Sequence, residues 1–403
     1  MSKKKTSGPT DIDGLLDLCL KDAANKCGVF TAHEACSSMR YVDFSDPVYH
    51  ERGVLPFEWM FGTRGLPSGR VLKLDADPAK SKSTFTFLLL GMAQRAGAIA
   101  NYGEAERTPA PPDFIFRCGA DPRKLWTFED LMGIPDWESK WINFITTVRI
   151  KADPKMQKVI VGALDSISGL AGDDTEDNIK DVEDPADKSQ DVGKHSRKFS
   201  QFFREYCPLF AKQQAILIGV SQRKVKIGGG GGGFNGPPPP TSIAHQPWEF
   251  HSSHVLSFKN EKKKVDGVEL EHVTVTCTKS KFCYKGRSVV MTFIPEAGDH
   301  SWELDDTSML FLNSSFSPIE LHRNNEGRYW HEQVLGGKKL YKADFLHEFY
   351  ANADLLMQCR EKLKIRGYGF DFETKYDAGA PDETDQGETD APDETASPQG
   401  GPP

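Results

Sequence analysis

The fold is decided by residues 66–84, which read LPSGRVLKLDADPAKSKST. A turn leads into the apolar strand Val71–Leu74, and a loop then brings Lys82–Thr84 to the start of an apolar helix, Phe85–Ala96. Strand, loop, Lys-Ser and helix form the layout of a phosphate-binding P-loop. In such a loop backbone N–H groups hold the phosphates, the lysine reaches the outer ones and the serine hydroxyl binds Mg²⁺. The predicted nucleotide-binding residues of this segment are Lys80, Ser81, Lys82, Ser83 and Thr84.

The loop departs from the common motif G-x-x-x-x-G-K-[ST] at both glycines. Ala76 and Ser81 stand at the two glycine positions. Glycine there permits positive φ and a close approach of the backbone to phosphate. The replacements leave two alternatives open, which are efficient ATP hydrolysis and nucleotide binding with slow turnover.

Composition places the chain among globular proteins of the cell interior. Its 403 residues suffice for two or three domains, or for one large α/β domain with additions. No apolar stretch approaches the roughly 18 residues of a membrane span, and Met1–Thr6 predicts no signal peptide. Eight scattered cysteines without a C-x-x-C pair favour a reduced intracellular protein over a disulfide scaffold or a zinc site.

The acidity of the chain lies in its C-terminal tail. The formal net charge is −8, and the residues after Lys375 carry eight acidic side chains and no Lys or Arg, so residues 1–375 are balanced. A tail rich in Pro, Gly and Thr cannot form a core. It is interpreted either as a solubilising appendage or as a tethered polyanion that competes with nucleic acid for basic grooves.

Strands and helices alternate along the middle of the chain. Continuous apolar runs, as in Val159–Leu164, are typical of parallel strands covered on both faces. This order predicts an α/β fold with a mostly parallel central sheet, helices on both faces and antiparallel β additions. The predicted segments after the P-loop helix are strands Ala98–Tyr102, Val159–Leu164 and Ala215–Val220, helices Ser139–Val148 and Ser196–Ala211, antiparallel strands Val255–Phe258, His272–Cys277 and Val289–Ile294, and the helical unit Leu340–Lys364.

Two segments lack the pattern of any packed element. Asp173–Asp191 is dense in Asp and Glu, and Gly228–Gly233 is a run of six glycines that precedes Pro237–Pro240. A glycine run of this kind is typical of a mobile loop or a linker. Because it lies between strands of what reads as one sheet, a functional loop is the favoured interpretation.

Polar residues at the ends of the apolar strands complete a possible phosphate-transfer site. Asp165 ends an apolar strand, where an acid holds the hydration shell of Mg²⁺, although a strand-end Asp can also be a helix cap. Glu104 or Glu106 comes just after the strand Ala98–Tyr102 and can orient the attacking water. Gln222, at the tip of a further strand, can sense the γ-phosphate. The four features together, in this order, favour a P-loop enzyme.

The chain resembles RecA-type strand-exchange ATPases, and among these the phage recombinases of the UvsX kind, over roughly residues 60–295. The matching motifs are Gly65-Leu-Pro-Ser-Gly-Arg70 with G-L-P-x-G-R, Ala93-Gln-Arg-Ala-Gly97 with A-Q-R-E-G, Glu104-Ala-Glu106 with D-A-E, Leu164-Asp165-Ser166 with V-D-S, Asp191-Val-Gly193 with D-M-G, Ser221-Gln222 with N-Q and Lys279-Ser-Lys281 with K-N-K. An acidic C-terminus is also common in the family.

The resemblance implies a RecA-like P-loop ATPase core that uses ATP and Mg²⁺. Phage members of the family tolerate a residue other than glycine at the second motif position, so Ala76 is the more unusual of the two replacements. The implied roles are catalysis for Glu106, Lys82 and Gln222, binding of the metal for Ser83 and Asp165, and contact with the ATP of an adjacent subunit for Lys279 and Lys281.

DNA binding requires cationic side chains for the phosphates and loops that fold over the strand. Arg197 and Arg204 are seven residues apart, so they share one face of a helix, where the resemblance places DNA-contacting arginines. The alternative is a solvated helix face. The glycine run corresponds to the second DNA-binding loop, and the acidic segment is interpreted as an excursion of the first. The predicted DNA-binding residues are Arg197, Arg204, Arg223, Lys224, Lys226 and Phe234.

Four regions follow from this interpretation. They are an N-terminal helix and oligomerisation arm in residues 1–55, the ATPase core in residues 56–298 with DNA-binding loops near 171–196 and 223–247, a small C-terminal α/β domain in residues 299–375, and a disordered acidic tail in residues 376–403.

The favoured function is an ATP-dependent recombinase that forms a helical filament on single-stranded DNA and exchanges strands with duplex DNA. It is expected in the cytoplasm of a bacterial host cell as a phage product, without membrane contact. One alternative is a RecA-fold filament protein with weak or no ATP hydrolysis. A hexameric helicase or packaging motor is another, and the lysines at 279 and 281, the glycine-rich loop and the acidic tail favour the recombinase over it.

Overall fold

The computed structural model describes residues 40–44, 54–128, 130–151, 158–172, 191–224, 241–242, 244–265, 268–296, 299–303 and 319–365. Four predicted features lie wholly or mostly outside these residues. They are the N-terminal arm, of which only 40–44 and 54–55 are described, the acidic segment 173–190, the glycine-rich segment and the acidic tail. Within the described part of the chain, no helix has the length and apolar character needed to cross a bilayer.

The strands are β1 Tyr41–Asp43, β2 Gly65–Pro67, β3 Val71–Ala76, β4 Ile99–Glu104, β5 Leu125–Phe128, β6 Ile160–Asp165, β7 Ala215–Lys224, β8 Thr241–Ser242, β9 Ser252–Val265, β10 Val268–Ser280, β11 Ser288–Glu296, β12 Asp299–Glu303, β13 His322–Arg323 and β14 Tyr329–Trp330. The helices are α1 Leu55–Phe61, α2 Lys82–Arg95, α3 Pro112–Arg117, α4 Ile134–Lys151, α5 Asp191–Gln213, α6 His245–His251, α7 Lys342–Ala351 and α8 Ala353–Lys362. Short 3₁₀ turns lie at Pro122–Lys124, Ile167–Gly169 and Leu335–Gly337.

A sheet of ten strands forms the centre, in the order β12-β11-β10-β9-β3-β7-β6-β4-β5, with β8 paired to β7. The strands from β5 to β9 in this order are parallel to their neighbours, and β9 to β12 are antiparallel. The predicted mostly parallel sheet with antiparallel additions is therefore confirmed. β9 differs from the expectation in one respect, because it pairs parallel with β3 and antiparallel with β10.

The sheet is covered on both faces, which explains the continuous apolar runs of its central strands. In β3, Leu72 and Leu74 contact the apolar cluster that includes helix α2, and Val71 belongs to the cluster on the other face. Successive side chains of a strand point to opposite faces, so one strand supplies both layers. Helices α4, α5 and α6 cover the second face, and α5 contributes the predicted apolar side chains Phe199, Phe202, Phe203 and Phe210.

Two tryptophans on these helices lie directly on glycines of the sheet. A Cβ atom at Gly162 of β6 would overlap the indole ring of Trp141 from α4, and one at Gly219 of β7 would overlap the ring of Trp248 from α6. Both rings are buried. The absence of a side chain on each strand thus sets how closely its helix approaches, and we call these the two glycine–tryptophan contacts.

The C-terminal residues 319–365 pack on the core through helix α1, whose seven residues are all buried. Arg360 of α8 forms two hydrogen bonds with the carboxylate of Glu58, at 2.8 and 2.9 Å. Burial raises the pKa of Glu58, and the bonds from Arg360 act against that rise. A carboxylate buried without this partner would be strongly destabilising, so the pair ties the C-terminal unit to the core.

Candidate nucleotide-binding site

The carboxyl ends of the parallel strands meet at one edge of the sheet, where ligands of open α/β sheets bind. Strand pairing places Glu104 opposite Asp165 and Ala76 opposite Gln222. The P-loop segment between β3 and α2 leaves the sheet at the same edge. Residues separated by more than a hundred positions in the sequence are therefore neighbours here.

The loop between β3 and α2 holds two residues other than glycine in the left-handed conformation. Ser81 precedes helix α2 with φ 55° and ψ 25°, in the left-handed region, and its side chain makes no capping hydrogen bond. Ala79 also has positive φ, at 53°. Ala76 lies in β3 without positive φ. The backbone strain of the loop is thus located at Ser81 and Ala79, and the unusual Ala76 causes none.

Lys82 is enclosed by this loop. Its Nζ donates to the backbone carbonyls of Asp77 at 2.6 Å and of Ala76 at 3.3 Å, and the residue is 6% exposed. Burial lowers the pKa of the Lys82 ammonium, and the nearby Asp165 carboxylate opposes the effect. A buried cation next to the N-terminus of a 14-residue helix is an arrangement that suits phosphate.

The two predicted metal ligands are brought together. The Ser83 hydroxyl hydrogen-bonds the carboxylate of Asp165, and Tyr102 Oη donates to Asp165 Oδ2 at 3.1 Å. Burial raises the pKa of Asp165, and the bond from Ser83 opposes this. In the described ranges no three His, Cys, Asp or Glu side chains converge as metal ligands. A hydroxyl and one carboxylate fit Mg²⁺, which keeps several waters and takes phosphate oxygens.

Glu106 lies at the centre of the polar contacts at this edge. Its Oε1 accepts hydrogen bonds from Ser166 Oγ at 2.7 Å and from Gln222 Nε2 at 2.6 Å. Glu104 instead accepts the backbone N–H of Glu106 at 2.6 Å, and burial raises the pKa of Glu104. Of the two candidate acids, Glu106 is therefore the exposed one, and it contacts the proposed sensor directly.

Part of this chain is similar in sequence to known proteins. The RecA protein of Roseiflexus sp. (strain RS-1) is 25% identical over 177 residues, which are 44% of this chain and 45% of that protein. The RecA protein of Thermus thermophilus is 27% identical over 177 residues, 44% and 46% of the two chains. This chain is similar to RecA proteins over those 177 residues. Since it spans less than half the length of these relatives, the relationship supports a RecA-like core and leaves their full activity to be tested.

A third RecA protein, from Chlamydia abortus, is 26% identical over 177 residues, 44% of this chain and 45% of its own. A search against protein-family models finds no match. Closeness to the phage recombinases of the UvsX kind stays a prediction.

The remaining predicted nucleotide-binding residues have other partners in this structure. Ser81 Oγ accepts a hydrogen bond from Asn260 at 3.3 Å, and the buried Thr84 hydroxyl bonds the Cys118 thiol. Lys80 is half-buried in the loop and Lys281 is exposed. The Nζ of Lys279 donates to the last carbonyls of α6, those of Glu249 and Phe250, the second at 3.2 Å.

The predicted DNA-binding arginines fall into two groups. Arg197 and Arg204 are exposed on α5, and each Nε bonds a carbonyl one turn earlier, so the expected shared face is present. Arg223 instead donates to the buried carboxylate of Asp75 at 3.1 Å. The backbone of Lys224 ends β7, and its side chain, like Lys226 and Phe234, lies outside the described residues.

Regular elements occupy the described ends of both predicted DNA-binding loops. Helix α5 begins at Asp191, inside the loop expected near 171–196. β7 extends to Lys224, while β8 and the start of α6 occupy the end of the loop expected near 223–247.

Sequence reasoning missed several side chains of the site, among them Tyr102 and Ser166. Both had a readable signal. Tyr102 precedes Glu104 by two positions, so both point to one face of β4, and Ser166 directly follows the strand-end Asp165. Lys73 and Asp75 were missed as well, although two charges inside an otherwise apolar strand break the pattern of a buried strand.

Proposed function

We propose that this protein is an ATP-dependent recombinase that binds single-stranded DNA, forms a helical filament and exchanges strands with duplex DNA. The observation that carries the proposal is the 2.6 Å hydrogen bond from the Gln222 amide to the Glu106 carboxylate, beside the Lys82 loop. This hydrogen bond links Glu106, an acid suited to activating water, with β7, the strand that leads into the glycine-rich segment. The RecA relationship supports the same conclusion.

The P-loop would bind the phosphates of ATP. ATP with Mg²⁺ supplies the phosphoanhydride bond and a divalent charge when bound. The Lys82 ammonium, which now donates to loop carbonyls, would donate to the phosphate oxygens, and the N–H groups at the start of α2 would bind the same anion. Ser83 and Asp165 would hold the metal, because the described structure already brings their oxygens together.

Glu106 would take a proton from the attacking water. A carboxylate with two hydrogen-bond donors on one oxygen is a weak base until one donor leaves. Movement of the Gln222 amide away from Glu106 therefore raises its basicity. Because Gln222 is two residues from the end of β7, such a movement connects hydrolysis with the position of the following segment.

The exposed arginines of α5 would contact DNA phosphates. Arg197 and Arg204 are solvated and lie on one face, so they are open to a backbone of phosphates. Binding should then weaken with salt, since each neutralised phosphate releases a counterion. Truncation after Lys375 should strengthen duplex binding if the acidic tail competes for the same cations, and unchanged duplex affinity would contradict that role.

A related candidate is a filament protein of the same fold with weak or no hydrolysis. The positive φ angles of Ser81 and Ala79 favour it, because such residues hold a phosphate loop in place less readily than glycine does. In that case ATP binding and filament assembly persist without turnover.

The decisive experiment measures ATP turnover with and without single-stranded DNA, together with micrographs of the same mixtures. DNA should stimulate turnover, and Lys82→Ala should lower it by about 100-fold or more. Lys124→Ala, which removes an exposed lysine far along the sheet, serves as the matched control and should leave turnover unchanged. Nucleotide binding and assembly that survive in Lys82→Ala would refute the site, and wild-type protein that ignores ATP and DNA would refute the function.

A further inference from the structure

A row of charged side chains begins at two buried residues of β3, on the face that α6 covers, and continues to partly exposed residues of α6 and β7. Lys73 is 0% exposed and Asp75 is 4% exposed, although they lie in an apolar strand at the centre of the sheet. His245 and Glu249 of α6 and Arg223 of β7 complete the row. We call these five residues the α6 relay. The proposed nucleotide site uses none of them.

The contacts of the α6 relay run continuously. Lys73 Nζ donates to His245 Nδ1 at 2.8 Å, and His245 Nε2 pairs with the carboxylate of Glu249. On the other side, Lys73 Nζ lies 3.7 Å from Asp75 Oδ1, while Arg223 donates to Asp75 Oδ2 at 3.1 Å. Helix α6 is thus held to β3 near its first residue, and β3 is held to the end of β7.

The protonation states follow from these contacts. Burial lowers the pKa of His245, and the Lys73 ammonium lowers it further, while Glu249 and Asp75 act in the opposite direction. The imidazole is therefore neutral near pH 7, so it accepts at Nδ1 and donates from Nε2. Burial also lowers the pKa of Lys73, and Asp75 opposes that effect.

A buried lysine is costly, and packing alone does not require it. A methionine at this position fills similar volume without the desolvation of an ammonium. Besides its ion pair with Asp75, the cation makes a directed bond to α6. This bond matters because the other end of α6 carries the carbonyls of Glu249 and Phe250, which accept from Lys279.

We propose that Lys73 and His245 are positioning residues that hold α6 so that its last carbonyls dock the Lys279 ammonium. Lys73 contacts the first residue of α6, and Lys279 contacts its last turn. The helix therefore couples the position of the Lys279 side chain on β10 to β3. The effect on hydrolysis rests on the proposed function, together with the contact to the ATP of an adjacent subunit that the family resemblance implies for Lys279. The placement of the Lys279 side chain does not rest on the proposed function.

The placement is tested on the full chain by labelling with an amine-acylating reagent and mass spectrometry, with the exposed Lys285 as internal reference. Lys73→Met and His245→Phe should raise labelling of Lys279 severalfold, because α6 is released. His245→Asn keeps an acceptor near the Nδ1 position and should stay close to wild type. Lys259→Met, at an exposed lysine, is the control. Labelling of Lys279 that is unchanged in His245→Phe would overturn the proposal, even if Lys73→Met fails to fold.

Hydrolysis gives a second readout that a merely structural role would not produce. Lys73→Met should lower DNA-stimulated kcat by about 10- to 100-fold with little change in KM, as expected of a misplaced group. In a Lys279→Met background the same substitution should have no further effect. A loss of equal size in both backgrounds would contradict action through Lys279. If wild-type protein hydrolyses no ATP, the proposed function fails while the labelling result still decides the placement.

Discussion

The loop between β3 and α2 and the helix-covered face of the sheet differ in their use of glycine. In the loop, Ser81 and Ala79 adopt the left-handed conformation that glycine favours. Under Trp141 and Trp248, the strands retain Gly162 and Gly219. A left-handed residue other than glycine costs about 1–2 kcal/mol, whereas an extra carbon inside an indole ring has no tolerable position. At these four positions, glycine is kept where volume forbids a side chain and is replaced where only the backbone angle is at stake.

The largest expected effect tests the volume side of this comparison. Gly219→Ala should lower the free energy of unfolding by about 3 kcal/mol, because the new methyl group overlaps the Trp248 ring. Gly103→Ala is the matched control in a neighbouring buried strand, since its Cβ would meet its nearest atoms at 3.4 Å. It should change stability by less than about 1 kcal/mol. Denaturant melts of both variants check this, and equal effects would break the comparison.

A double variant identifies the partner in that clash. Trp248→Phe removes part of the ring that a Cβ at position 219 would meet. In the Gly219→Ala background it should therefore cost less than it does alone, with a coupling of about 1–2 kcal/mol. Chemical denaturation of the four proteins in the cycle measures it. Strict additivity would mean that the loss in Gly219→Ala comes from the backbone rather than from the indole.

Acidification tests the chemistry of the loop side. Burial raises the pKa of Asp165 above its ordinary 3.8, and Mg²⁺ binds the deprotonated form. Mg²⁺ affinity, titrated with a non-hydrolysable ATP analogue, should thus be full above the raised pKa. It should fall by up to about tenfold per pH unit below it.

Two variants separate Asp165 from its acidic neighbours. Glu104→Gln should keep the slope of affinity against pH, and Asp165→Asn should bind Mg²⁺ weakly at every pH. A transition near pH 3.8 in wild type would show that burial does not govern this carboxylate.

The smallest effect concerns the backbone angle itself. Ser81→Gly should raise the free energy of unfolding by about 0.5–1 kcal/mol, since relief of the left-handed strain exceeds the entropy cost of glycine and the loss of the Asn260 bond. Lys80→Gly, at the preceding residue without positive φ, should instead destabilise by a similar amount. Thermal melts compare the two variants. If Ser81→Gly were destabilised, the backbone angle would not be what governs the residue at position 81.

Much of the fold could be predicted from local sequence. Apolar runs identified β3, β6 and β7, and the Lys-Ser pair identified the loop, because burial on both faces and a helix start leave direct signals. Strand order and the parallel pairing of β9 could not be predicted, since they depend on partners far away in the sequence. The site could likewise be predicted only in part. Asp165 and Glu106 were recognised from motifs.

The residue pattern alone left Glu104 and Glu106 open, and only the family resemblance favoured Glu106. In the structure Glu104 ends β4, and the hydrogen bond from Gln222, 116 residues away, goes to Glu106. The α6 relay was missed for a different reason. Lys73 and Asp75 contradict the apolar pattern of β3, and their partners become neighbours only when α6 packs on the sheet.

The pair of Glu58 and Arg360 has a consequence for how the chain matures on the ribosome. The two residues are separated by 302 positions, so the guanidinium emerges about 15–60 s after the carboxylate at ordinary synthesis rates. During that interval the core must either leave the Glu58 segment in water or protonate it. Completion of this core thus waits for residue 360, and a nascent chain stalled before that residue would be a substrate for chaperones and proteases.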